Sequence, residues 1–140
     1  IFLDGFSPQK CPEIWSYEFL SQLKNKIKYE GYLITYTSAA AVRKSLQNLN
    51  FNLFNIKPTL SKRNHWSNGT LATFNYQQNN PHISQLSEME IEHLKTKASI
   101  PYRDPTGEML SKEILEIRKR EQKFSNLLDT NSWRKRWEMA

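Results

Sequence analysis

Cysteine, glycine, histidine and, through a long central stretch, acidic residues are all scarce in this sequence. One cysteine, Cys11, rules out an internal disulfide and suits a reducing compartment, so cytoplasm is the default expectation. The four glycines (Gly5, Gly31, Gly69 and Gly107) are not spaced as a loop that cradles phosphate or a nucleotide. The chain also opens inside an apolar run, without an initiator Met. Either the fold does not bind nucleotides, or its first half lies outside this sequence. His65, His82 and His93 are far apart, and no Cys/His pair has ligand spacing, so no metal is expected. Ser7 lacks the surroundings of a nucleophile elbow. No apolar run approaches the roughly 18 residues a bilayer demands, and no signal peptide is visible, so no membrane is expected either.

What remains is 140 residues, one domain by length, with 38% hydrophobic and 24% charged residues and a net charge of +6. The charge is uneven. Residues 1–80 hold nine Lys/Arg against four Asp/Glu, whereas residues 81–140 hold eleven against ten. Between Glu30 and Glu88 there is no acid, while Arg43, Lys44, Lys57, Lys62 and Arg63 all fall there. Such a stretch suits a polyanionic partner, through counterion release, or is simply a basic solvated surface.

Alternation and punctuation give the order of elements. Ile1-Phe2-Leu3 is a short buried-strand run closed by Asp4-Gly5. Pro12 to about Lys28 is predicted as one helix, with Ile14, Trp15, Phe19, Leu20, Leu23 and Ile27 as its apolar stripe. Tyr32–Tyr36 is a second strand, and strand–helix–strand at this spacing makes the two strands parallel. Thr37 and Ser38 can cap a helix over about 39–48. A third strand covers about 51–56 and a fourth Thr70–Tyr76; with no helix between them they should be antiparallel neighbours. Ser87-Glu88-Met89-Glu90 fits a capping box that opens a short helix toward Lys97. Ile100–Gly107 should be an ordered turn, and a longer helix runs from about Leu110 to Leu127 with Leu110, Ile114, Ile117 and Phe124 inward. The ending Trp133-Arg134-Lys135-Arg136-Trp137 either contacts RNA or docks back on the domain.

The stretch around which the rest is arranged is IFLDGFSPQKCPEIW, residues 1–15. In open α/β sheets ligands sit beyond the carboxyl ends of the strands, which places Asp4 and Phe6 where chemistry would occur. Read from spacing alone, Asp4 caps a turn or lines a site, and Phe6 is a core aromatic or a pocket wall.

LDGFSPQKCPEIW, followed by TYTSAAAVRKSL and by SKR ahead of the last strand, resembles the methyltransferase domain of the MnmC-type tRNA-modifying enzymes. The resemblance covers about residues 1–76. It implies a Rossmann-like fold that uses S-adenosylmethionine to methylate the 5-aminomethyl group of a (2-thio)uridine at the tRNA wobble position. Residues 1–78 would then be the carboxyl-terminal half of the class I methyltransferase domain, its strands in the family order 4-5-7-6 with strand seven reversed. Residues 79–140 would be a mainly helical extension. The Gly-rich cofactor loop would precede Ile1, the edge at Phe2–Leu3 would be unpaired, and the 140 residues alone would be weakly active or inactive.

The resemblance further implies that Asp4 is the acid that orients the amine, accepts its proton and faces the cofactor. Phe6 would shape the uracil pocket, and Lys10, Arg43, Lys62 and Arg63 would reach tRNA phosphates. Two other readings stand beside it: a basic α/β RNA-binding or interaction module without catalysis, and an amine methyltransferase with a substrate other than tRNA.

Overall fold

Short β-rich runs with a polar break after each give five strands, and these pair into a single mixed sheet in the computed structural model, which describes residues 1–57 and 69–138. β1 (Phe2–Leu3), β2 (Tyr32–Thr35), β3 (Asn52–Ile56), β4 (Gly69–Thr73) and β5 (Ile83–Gln85) lie in the order β1-β2-β4-β3-β5. β1 and β2 are parallel, with Phe2 opposite Ile34 and Leu3 opposite Thr35. β4 runs against both β2 and β3. The α/β class and the reversed strand between the second and third runs are as expected. β4 stops at Thr73, short of the expected Tyr76. β5 was not foreseen, because Ile83-Ser84-Gln85 is short and polar; it is held by pairing with Phe54–Ile56.

The helix expected over 12–28 is two pieces. Pro12–Trp15 forms a 3₁₀ turn and α1 covers Tyr17–Lys26. Ser16 breaks them: its backbone is extended, and its hydroxyl donates to the Glu13 carbonyl at 2.9 Å while accepting from the Phe19 N–H at 3.1 Å. α2 covers Ala40–Asn48 and ends at Asn50, whose φ of 70° is the left-handed conformation that Asn tolerates. α3 (Glu88–His93) carries the expected Ser87/Glu90 capping box. α4 is Ser111–Phe124 and α5 is Thr130–Arg136. On α4 only part of the expected stripe turns inward. Ile114 is fully buried, whereas Leu110 and Phe124 are exposed, and buried Arg118 takes a place on the inner face. Arg118 is accommodated because it donates to the Ile100 and Ala98 carbonyls and lies over the Tyr102 ring.

Leu33 and Ala72 on one face of the sheet meet Trp15 and Leu20 of the first helical turns and Val42 and Leu46 of α2. Tyr102 and Ile114, from beyond residue 78, complete the same cluster. Each fully buried large apolar side chain here contributes roughly 1.5–3 kcal/mol by leaving water. The tail docks. Trp133 is fully buried, donates its indole N–H to the Met89 carbonyl at 3.1 Å and stacks on His93 with centroids 4.1 Å apart. Trp137 and Arg136 both engage Glu92.

Because β1, β2 and β3 are mutually parallel, their carboxyl ends share one margin of the sheet. Asp4, Tyr36 and Lys57 follow those ends, and the chain re-enters the sheet at Gly69 on the same margin. β1 is the outermost strand there, and its Phe2 ring is 84% exposed.

Candidate active site

The loop after β1 is fixed at its start through its backbone. The Trp15 indole N–H donates to the Phe6 carbonyl at 2.7 Å, and the Tyr36 hydroxyl donates to the Gly5 carbonyl at 3.1 Å. The two rings meet edge to face, 6.1 Å between centroids. A Cβ on Gly5 would meet Cδ1 of Ile14, the tip of a side chain that would have to turn aside. The Ser7 carbonyl then accepts from the N–H groups of Lys10 and Cys11 at 2.9 and 3.0 Å, closing the turn that leads into Pro12.

With these carbonyls pinned, the Asp4 carboxylate and the Phe6 ring face outward; Phe6 is 74% exposed. Among the described residues no hydrogen bond or ion pair engages the Asp4 carboxylate. The turn-cap reading of Asp4 and the core-aromatic reading of Phe6 both lose their footing. Beside Asp4 opens a cavity of about 550 Å³, bordered by Phe2, Asp4, Ile34, Tyr36, Ile56 and Gly69. A Cβ on Gly69 would come within 2.8 Å of the Thr35 carbonyl oxygen, so glycine is what lets β4 begin this close to the end of β2.

The expected basic residues separate into three cases. Lys10 is exposed on the site loop. Lys62 and Arg63 lie outside the described residues. Arg43 corrects the expectation of a phosphate contact, because it is 2% exposed and its donors are committed inside the protein. Its Nη1 pairs with Glu90 Oε1 at 3.2 Å, its Nη2 donates to Asn55 Oδ1 at 2.8 Å, and its Nε donates to Thr70 Oγ1 at 2.8 Å. Burial lowers the Arg43 pKa from its ordinary value, opposed by Glu90. Burial alone would raise Glu90, but hydrogen bonds from Asn55 and the Ser87 N–H, with the Arg43 charge, hold its carboxyl below the usual range.

Trp15, Tyr36 and Gly69 are site-shaping residues that sequence reasoning missed. The signal was present: Trp15 closes the first quoted segment and Tyr36 lies inside the second. Neither the periodicity of a helix nor that of a strand says that an indole will reach back nine residues to a carbonyl.

S-adenosylmethionine joins positive charge to a flat apolar ring system. An unengaged carboxylate beside a wall made by Phe2, Ile34 and Ile56 fits such a molecule. Among the described residues there is no group of three or more His, Cys, Asp or Glu that could hold a metal, and no helix long and apolar enough to cross a membrane.

Known proteins resemble this chain in sequence and fold. The chain is 32% identical to the protein in the crystal structure of MNMC2 from Aquifex aeolicus and superposes on it with a TM-score of 0.76, over 87% of this chain and 37% of that one. That coverage exceeds what residues 1–78 alone could supply, so the likeness continues into the helical region. An uncharacterized protein of Methanocaldococcus jannaschii is 27% identical over 84% of this chain and 32% of its own length. The tRNA 5-methylaminomethyl-2-thiouridine biosynthesis bifunctional protein MnmC of Leptospira borgpetersenii is 38% identical over 53% of this chain and 11% of its own. The chain thus spans about a third or less of the curated relatives it matches. Residues 1–75 match the S-adenosyl-L-methionine-dependent methyltransferase family, over the strands and the loop that build the site, and the chain belongs to that family.

Proposed function

We propose that this chain forms the substrate-facing part of a cytoplasmic tRNA methyltransferase that methylates the amine of 5-aminomethyl-(2-thio)uridine at the wobble position. The observation that carries the reading is the Asp4-Gly5-Phe6 loop, pinned at the Gly5 and Phe6 carbonyls and presenting a carboxylate and an aromatic ring at the open margin of the sheet. Family membership supports methyl transfer. The name of the Leptospira relative, a tRNA 5-methylaminomethyl-2-thiouridine biosynthesis protein, supports tRNA as the substrate.

When bound, S-adenosylmethionine supplies an electrophilic methyl group on a sulfonium. Asp4 orients the attacking amine and accepts the proton it releases, directly or through water. Its negative charge would also help to hold the positively charged cofactor. The Phe6 ring stacks on the uracil, which is recognised unstacked from the anticodon loop. Lys10, together with Lys62 and Arg63, contacts phosphates and sets the orientation of the tRNA. Residues 1–78 act as the carboxyl-terminal half of the catalytic domain, and residues 79–140 as its docked extension. The 140 residues alone transfer methyl weakly or not at all on this reading, because the described residues wall the cavity only along the β1–β4 margin.

The test is methyl transfer from labelled S-adenosylmethionine by the full-length gene product to tRNA bearing the aminomethyl group. Asp4→Ala should lower kcat by about 10²–10⁴-fold, the usual contribution of a positioned acid or base, with tRNA affinity nearly unchanged. Activity surviving within a few-fold would remove Asp4 from the mechanism.

A further inference from the structure

We propose that Arg43 is a positioning residue: with Glu90 and Thr70 it fixes the segment that follows β2 and, through Tyr36, the Asp4–Phe6 loop. The proposal rests on the reading of that loop as the site, and it predicts that the seating of α3 against the sheet sets the geometry at the β1 end of the same margin.

The contacts are continuous. Glu90 of α3 accepts from Arg43 Nη1, from Asn55 Nδ2 at 2.5 Å and from the Ser87 N–H at 2.8 Å. Arg43 donates through Nε to the Thr70 hydroxyl, and that hydroxyl donates to the Thr37 carbonyl at 2.6 Å. A hydroxyl has one proton; once it accepts from a guanidinium, that proton is directed at the second partner. Arg43, which can only donate, and the Thr37 carbonyl, which can only accept, hold the Thr70 hydroxyl between them and so tie α2 to the segment after β2. Thr37 follows Tyr36, whose hydroxyl holds Gly5 and whose ring meets Trp15. Two further bonds tighten the same corner: the Arg43 Nη2 donates to the Gly69 carbonyl at 3.3 Å, and the Ala39 N–H donates to Thr37 Oγ1 at 3.2 Å.

A purely structural ion pair would stabilise the whole fold without preference for the site loop. A positioning role makes a sharper statement, that cutting the chain at Thr70 loosens the loop selectively. Two indole N–H groups report on this. Trp15 donates to the Phe6 carbonyl inside the loop, and Trp133 donates to the Met89 carbonyl on α3, away from it.

The experiment is hydrogen exchange of the two indole protons in ¹⁵N-labelled protein. Thr70→Val keeps the shape and removes the hydroxyl; it should accelerate exchange at Trp15 about tenfold more than at Trp133, as expected for a local opening made easier by one lost buried hydrogen bond. Thr70→Ser should restore the native rate. Tyr36→Phe keeps the ring against Trp15 and removes the bond to Gly5, so it should give the same selective effect, and an unchanged Trp15 there overturns the proposal even if Thr70→Val does not fold. Equal acceleration of both indoles, or an unchanged Trp15 in either variant, overturns the proposal. In the full-length gene product the selective variant should lower kcat while leaving KM for tRNA nearly constant. If Asp4→Ala leaves methyl transfer intact, the site reading fails on its own, and the indole result still decides the coupling.

Discussion

Trp15, completely buried, holds by its carbonyl a residue, Phe6, whose own ring is three-quarters exposed. Anchor and functional side chain are therefore separable by mutation. Trp15→Phe removes the hydrogen bond and part of the core volume, and should lower unfolding stability by about 2–4 kcal/mol. Phe6→Ala should change it by less than about 0.5 kcal/mol, as for other surface substitutions. Urea unfolding of the two variants measures the difference; similar losses in both would mean that Phe6 packs against the protein.

Among the described residues, two ion pairs that tie the C-terminal region to α2 and to α1 differ in worth. Arg43–Glu90 is buried on both sides, whereas Arg103–Glu18 has an arginine side chain 44% exposed. Glu90→Ala leaves a guanidinium unpaired at low dielectric and should cost about 3–5 kcal/mol. Arg103→Ala should cost under about 1 kcal/mol, because water screens that pair. Thermal or chemical denaturation checks the ratio.

Acid should weaken the fold through His93 before it does so through carboxylates. Burial, with the nearby charges of Arg43 and Arg134, lowers the His93 pKa from 6.5 to about 4. The unfolded chain then binds this proton more readily than the native one between those values. The contribution is complete above pH 6.5 and is lost as pH falls to about 4, with an upper bound of about 3 kcal/mol. Glu90, held below its ordinary 4.5, adds its own loss only below that pH. His93→Phe keeps a ring against Trp133 and removes the titration, so urea midpoints compared at pH 7 and pH 5 should fall less in the variant than in the native protein.

On the tRNA side, Lys10→Ala should weaken binding of the full-length protein across tRNAs and reduce the slope of log affinity against log salt by about 0.7–0.9, the signature of one phosphate contact. Filter binding at several salt concentrations reads it directly. An unchanged slope would return Lys10 to the solvated surface.

Much of the architecture was legible because β-branched and aromatic runs separated by Gly, Asn or Pro announce strands, and Ser87 with Glu90 announces a helix start. Ser16 was not read as a break, since nothing in its neighbours distinguishes a capping serine from one inside a helix until its hydroxyl finds Phe19. Arg43 was misplaced for a related reason. Its position between Ala40 and Leu46 was a hint of burial, and so were Asn55 and Thr70, polar residues two positions along from the inward-facing Leu53 and Ala72 and so on the same face of the sheet. Taken singly, each reads as an ordinary surface residue. Only the fold brings their donors and acceptors together. The site loop was legible as a location, the carboxyl end of the first strand, but the anchors that hold it were not.

Tyr102 and Ile114 fill the same apolar cluster as Trp15 and Leu46, and Glu90 neutralises Arg43, although all three come from beyond the span of the family match. A polypeptide trimmed to residues 1–75 would expose the indole at the base of the loop to water and maroon a guanidinium without its counterion. Whoever shortens this protein for biophysical work should cut no earlier than the end of α4, whatever boundary sequence similarity suggests.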